Sequence, residues 1–222
     1  MGETFAIKQG PRAKLAPHIE RATQLIRDGK IIVAPLENAY VFACDAFTHQ
    51  AIADIHRFRG DKEGTACQVI VGDAKTASGV SINFQTKAQE FADKFWPGLL
   101  TINIAVQKGL TWDLGDKREL GQVSLRVPQN RFMLELVKSC GLLAVASAAR
   151  AGMKPARELF GIPALQSEIA AYYDVGEIAE GLTSTIIEIA GNEAKVQRIG
   201  AISLAELQSV DPNIDPNIVL PS

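Results

Sequence analysis

The chain has 222 residues, 47% of them hydrophobic and 22% charged, with a formal net charge of −2. That composition supports one substantial core, or one large domain with a subdomain, and excludes a disordered chain. An isoelectric point near 6.0 gives no support for a non-specific nucleic-acid binder, although a local basic patch is compatible with it. No apolar run reaches the ~18 residues of a membrane span, and Met1–Phe5 shows no basic-then-apolar leader. Cys44, Cys67 and Cys140 form no CxxC pair and read as reduced, buried thiols, which points to a cytoplasmic setting. His18, His49 and His56 lack zinc-ligand spacing, so no protein-built metal site is expected.

In chain order, residues 17–30 predict a helix with Ile19, Ala22, Leu25 and Ile26 on one face and Gly29 at its end. Residues 31–34 predict a buried strand stopped by Pro35, and Asn38 and Tyr40 fall in the loop beyond it. Thr48 is placed to cap a second helix, which runs into the charged loop 57–64. A short strand follows at 67–71, a helix at 86–95, the turn Trp96-Pro97-Gly98, and a strand at 100–106. Residues 109–121 read as a surface loop, 122–127 as a strand ended by Pro128, and 130–140 as a helix capped by Asn130. A strand at 142–146 precedes helical segments expected within 155–170. Strands at 184–190 and 195–198 turn at Gly191-Asn192, and Ser203 caps a last short helix. The pattern predicts one α+β or mixed α/β domain over 15–208, an N-terminal segment 1–14 and an extended tail 209–222.

No GxGxxG, Walker loop, nucleophile elbow or Cys–His pair is present, so any catalysis must rest on positioning and electrostatics. Arg57 and Arg59 flank Phe58, and each guanidinium presents a fork suited to phosphate or carboxylate; the alternative is a solvated charged loop. Arg126 sits in an apolar strand and needs a partner, either a structural carboxylate or a ligand's. Ser147 follows four apolar residues at a strand end, where open α/β sheets bind ligands, or else it is a turn serine. Arg198 ends a strand beside Ile199-Gly200. Trp96 reads as a packing anchor, while Asn38 and Tyr40 either line a pocket or cap the turn.

Taken in order, these pieces resemble the YrdC-type threonylcarbamoyl-AMP synthase family. The family's Pro-Thr-Asp-Thr-x-Tyr-Gly-Leu corresponds to Pro35-Leu36-Glu37-Asn38-Ala39-Tyr40-Val41-Phe42, and its Lys-x-Arg to Arg57-Phe58-Arg59. Its Trp-Pro-Gly-Pro-Leu-Thr corresponds to Trp96-Pro97-Gly98-Leu99-Leu100-Thr101, and its Arg-x-Pro to Arg126-Val127-Pro128. Its Ser-Ala-Asn-x-Ser-Gly, Ser-Thr-Val-Val and Arg-x-Gly correspond to Ser147–Gly152, Ser184–Ile187 and Arg198–Gly200.

The resemblance implies a twisted mixed sheet with flanking helices around an open basic cavity that takes ATP, L-threonine and bicarbonate. It implies nucleotidyl transfer that forms threonylcarbamoyl-AMP for N6-threonylcarbamoyladenosine in tRNA, with Mg²⁺ entering on the nucleotide. On matching positions, Arg57, Arg59, Arg198 and, after Pro155, Arg157 would contact phosphates, and Asn38, Arg126, Ser147 and Ser184 would lie near threonine. Partners implied are tRNA, double-stranded RNA or tRNA-modification proteins. The chain differs from the family at Leu36, Ala149 and Ala151, where neutral polar groups are lost, each contributing roughly 0.5–1.5 kcal/mol net, and at Asn38, which can still donate and accept. A paralogue with another substrate, or a non-catalytic nucleotide- or RNA-binding module, are the alternatives on the same fold.

Overall fold

The computed structural model describes residues 2–8, 10, 14–85, 87–164 and 167–216. In chain order the elements are β1 (Glu3–Ala6), α1 (Ala16–Arg27), β2 (Ile32–Pro35), β3 (Tyr40–Asp45), α2 (His49–Arg59), β4 (Gln68–Ile70), α3 (Ala74–Val80) and α4 (Lys87–Phe95). They continue with β5 (Leu100–Ala105), β6 (Gln122–Arg126), α5 (Arg131–Cys140), β7 (Leu143–Ser147), β8 (Ala171–Asp174), β9 (Thr185–Ala190), β10 (Glu193–Arg198) and α6 (Leu204–Gln208). The strands form one ten-stranded sheet in the order β1-β8-β2-β3-β7-β4-β6-β5-β9-β10. Its pairing is mixed: β1, β8 and β2 run parallel, as do β4 with β6 and β5 with β9, and the other neighbours are antiparallel.

Side chains alternate across a strand, so each face of the sheet has its own core. On one face α2, α3, α4 and α6 pack Ile52, Ile55, Ala77, Phe91 and Leu207 against Phe42, Val69, Ile102 and Ile187. On the other, α1 and α5 pack Ile19, Ala22, Ile26, Phe132, Met133 and Leu136 against Ile32, Val41, Ile70 and Val145. These two helices cover β8, β2, β3 and β7 and reach as far as Ile70 of β4. Over β6, β5, β9 and β10 the same face carries Ser124, Asn103, Ile186, Glu188 and Gln197, all partly exposed. One half of the face is therefore a core and the other an open polar surface.

Local chemistry sets the helix ends. Asn130 accepts from the Met133 N–H, and Ser203 forms a capping box with Glu206. Thr48 opens α2 as expected, but its hydroxyl makes no capping bond. The helix expected from Thr86 is seen from Lys87; Thr86 itself lies outside the described residues. Tyr40, expected in a loop, opens β3, because residues 40–44 are buried on both faces and show no alternation. Helical segments expected within 155–170 are absent among the described residues there, which run as turns broken by Pro155, Gly161 and Pro163. Residues 3–6 of the N-terminal segment supply the edge strand β1. In the tail, Asp215 bridges to Lys195 of β10, and 217–222 lie outside the described residues. Cys44 and Cys67 are buried and Cys140 half-buried, all as free thiols. No helix among the described residues is long and apolar enough to cross a membrane.

The loop 109–121 is clamped to α2 through His56, whose ring bonds Asp61 at 2.8 Å and the Leu114 carbonyl at 2.9 Å. Gly115 passes beside it at φ +106°, and a Cβ there would lie 2.1 Å from His56 Nε2 and 2.6 Å from the Thr65 carbonyl. Both the backbone angle and the collision disfavour any side chain. Gly115→Ala is expected to lower stability by about 3 kcal/mol in urea unfolding, and a loss under about 0.5 kcal/mol would contradict this packing.

Candidate binding site on the open half of the sheet

Register brings the polar side chains together. Gln68 pairs with Val145 of β7, and the β4–β6 and β5–β6 ladders place Gln68, Ser124, Arg126, Thr101 and Asn103 on one face. Thr101 pairs with Ile186, so Ser184, two residues before it, comes onto this face at the start of β9. Arg198 closes β10 against Ile186 after a bulge. Ser147 lies opposite Val41 on the same face, where α1 and α5 stop.

Arg126 is buried, and its partner is a structural carboxylate. Its Nε donates to the Gly98 carbonyl at 2.9 Å, and its Nη2 donates to Glu37 Oε2. The other Glu37 oxygen accepts from the backbone N–H of Gln129 at 2.6 Å and of Asn130 at 3.3 Å. Asn130 is the N-cap of α5 and Gln129 precedes it, so the carboxylate sits at the helix N-terminus, where the helix dipole adds to the arginine in holding the anion. Arg126 Nη1 has no protein acceptor among the described residues.

At the rim, Arg198 Nε and Nη2 donate to the Ser184 carbonyl at 3.1 and 2.8 Å, and Nη2 also donates to Ser184 Oγ at 3.1 Å. Partial burial of this guanidinium lowers its pKa from the usual arginine value, although the residue as a whole is exposed. Among the described residues Arg198 has no carboxylate partner. Ser184 Oγ also accepts from Thr101 at 3.0 Å, and Thr101 accepts from Gln68 Nε2 at 2.7 Å. Ser147 Oγ is buried with no partner among the described residues.

The other candidates are tied to the protein. Arg57 is exposed at the end of α2 and donates to Asp54 at 3.0 Å and Glu168 at 2.7 Å, bonds that raise its pKa. Arg59 donates to Asp61 at 2.8 Å and to the Ser147 and Ala149 carbonyls at 2.6 and 3.0 Å, so it braces the 147–151 turn. Arg157 binds the Ile178 carbonyl at 2.7 Å and Glu177 at 2.5 Å. Asn38 Nδ2 donates to the Leu182 carbonyl just before Ser184, and a Cβ on Gly181 would lie 2.6 Å from its Oδ1. Tyr40 Oη accepts from the Val175 N–H at 2.9 Å and lies 3.0 Å from Asp174, and burial pushes its pKa up to about 12. Leu36 and Ala149 are both buried, Leu36 in the α1/α5 core.

Sequence reasoning missed Glu37 and Gln68 as site residues and gave Thr101 no role. Glu37 and Thr101 lie inside quoted motifs, but Gln68 offered only a polar side chain at the head of an apolar strand.

Comparison with known proteins gives the family and the fold. Residues 24–200 match the profile of the Sua5/YciO/YrdC family, described as "Telomere recombination". A Mycobacterium tuberculosis protein named "Putative threonylcarbamoyl-AMP synthase" is 32% identical over 202 residues, covering 87% of this chain and 90% of its own. Among solved structures, Pyrococcus abyssi Sua5 complexed with L-threonine matches with a TM-score of 0.84 at 21% identity, over 96% of this chain and 62% of that one. Escherichia coli YciO matches with a TM-score of 0.76 at 21% identity, over 90% and 97%. The chain belongs to the Sua5/YciO/YrdC family, and it spans about three fifths of the Sua5 chain.

Removing one partner of a buried ion pair leaves the other charge uncompensated. Glu37→Ala is expected to cost about 3 kcal/mol in denaturant unfolding, and a cost under about 1 kcal/mol would show that the Arg126 charge does not depend on this carboxylate.

Proposed function

We propose that the protein is a threonylcarbamoyl-AMP synthase that acts on ATP, L-threonine and bicarbonate. The observation that carries this reading is Arg198: a partly buried cation at the rim of an open polar surface, backed by Ser184 and lacking a carboxylate of its own. Such a charge favours an anionic ligand. Relatives that bear the synthase name and family membership support the same reading.

In this reading the threonine amine attacks the carbon of bicarbonate, the C–OH bond breaks, and water leaves with the amine's proton to give a carbamate. A carbamate oxygen then attacks the α-phosphorus of ATP, its P–O bond to the β-phosphate breaks, and pyrophosphate leaves. The residues' work is to bind and orient. Arg126, Ser147, Ser184 and Asn38 lie around the amino acid, with Arg126 held in place by Glu37. Arg198 offsets phosphate charge, and Arg57, Arg59 and Arg157 join it where a phosphate displaces their present acceptors. Among the described residues no group of three or more His, Cys, Asp or Glu side chains is placed to hold a metal ion. Mg²⁺ therefore belongs in this reading to the MgATP substrate, where it neutralises phosphate charge. The product would feed tRNA N6-threonylcarbamoyladenosine formation in the cytoplasm, with tRNA-modification proteins as partners.

A paralogue acting on another substrate is favoured by one observation. Arg57, Arg59 and Arg157 each already hold a protein carboxylate.

Pyrophosphate release decides between the two. The synthase reading predicts release from ATP that requires both L-threonine and bicarbonate, and ATP binding without such release supports the paralogue. Arg57→Ala and Arg198→Ala should each weaken ATP binding, Arg198→Ala by about tenfold, with little loss of stability. Unchanged ATP affinity in both variants removes the phosphate assignment.

A further inference from the structure

The hydroxyl of Ser184 has a fixed direction. Gln68 Nε2 is a donor, so the Thr101 oxygen that it meets at 2.7 Å accepts. Thr101 turns its own hydrogen to Ser184 Oγ at 3.0 Å. Arg198 Nη2 is also only a donor, and it reaches the same Oγ at 3.1 Å. Ser184 Oγ thus accepts twice, and its own hydrogen has no acceptor among the described residues. Thr101 is almost wholly buried, at 1% exposure, and Ser184 is at the edge of burial. The hydrogen can point only to the open side of the sheet, beside the Arg198 guanidinium.

We propose that Gln68, Thr101, Ser184 and Arg198 form a one-directional hydrogen-bond relay that offers a hydroxyl donor and a guanidinium to a single oxyanion of the ligand. In the synthase reading, on which this assignment rests, that oxyanion is the threonine carboxylate; Arg198 Nη1, which has no protein acceptor among the described residues, carries two hydrogens, one for this carboxylate and one for the neighbouring phosphate. Ser184 and Arg198 touch the ligand, and Gln68 and Thr101 are positioning residues. Chained donors polarise one another, and a hydroxyl that already accepts two bonds is a stronger donor. The relay links three strands, β4, β5 and β10, with the residue that opens β9, so it exists only once the sheet has formed.

The design can be reversed without removing atoms. A carboxylate at position 68 accepts where the amide donates. The Thr101 hydrogen would turn to it, and the Ser184 hydrogen would turn inward to Thr101. The ligand would then face a hydroxyl oxygen in place of a hydrogen.

The test is calorimetric titration of the whole chain with two separate probes, L-threonine and inorganic pyrophosphate, on wild type, Thr101→Val, Thr101→Ser and Gln68→Glu. Thermal unfolding of each variant verifies that it is folded. Thr101→Val, which keeps the shape and removes the hydroxyl, should weaken L-threonine binding about tenfold, and Thr101→Ser should restore it to within about twofold. Gln68→Glu should weaken it at least as much as Thr101→Val. Loss confined to pyrophosphate would keep the relay, assign its oxyanion to a phosphate, and overturn the threonine assignment. Wild-type affinity of Thr101→Val for both probes would overturn the relay while leaving the synthase reading intact. A wild-type protein that binds neither probe would overturn both.

Discussion

The ion pair between Glu37 and Arg126 stands where the covered half of the sheet meets the open half. Glu37 follows β2, Arg126 ends β6, and the amides that share the carboxylate lead into α5. One carboxylate thus joins two strand ends that β3, β7 and β4 separate in the sheet, together with a helix N-terminus. Paired ions this far from water stabilise less than apolar groups of the same size would, so the pair is better explained by what it positions than by net stability. It fixes the guanidinium in a buried place with one nitrogen still without a protein acceptor, and it sets the point at which α5 can start.

From that seam outward the sheet changes character. Where α1 and α5 lie, the face is aliphatic; beyond β4 it carries serine, threonine, asparagine, glutamine and glutamate. No helix among the described residues covers this second half, and its polar side chains satisfy one another in pairs, as Ser124 does with Asn103 and Gln197 with Glu188. The Ser147 hydroxyl is unpaired but lies below the surface; among the described residues, the unpaired groups that face the open side are the outward hydrogen of Ser184 and the free edges of two guanidinium groups. These are the positions at which a ligand with carboxylate and phosphate oxygens finds partners without breaking protein bonds. The four phosphate candidates divide accordingly, since Arg198 is available as it stands and the other three must exchange an acceptor.

Much of the fold was legible in the sequence because periodicity and caps agree. The stripe Ile19, Ala22, Leu25, Ile26 and the cap at Asn130 each specify a helix, and the turn at Gly191-Asn192 joins β9 to β10. What escaped had no pattern to read. Strand β3 is buried on both faces, α3 is built of small residues, and β8 is four residues long. The candidate site was legible as residue types and not as an assembly. Nothing in the sequence says that β5 lies between β6 and β9, which is what brings Thr101 to Ser184. Nor could it show that Glu168 occupies Arg57 from 111 residues away, or settle which carboxylate holds Arg126.

The most direct test of the central claim, that ligand binds on the open polar half, is a crystal structure with L-threonine and a non-hydrolysable ATP analogue. Density between Arg126, Ser184 and Arg198 is the predicted result. Ligand seated instead beyond Glu37, in the 280 Å³ cavity bounded by Lys8, Asn130 and Phe132, would contradict it.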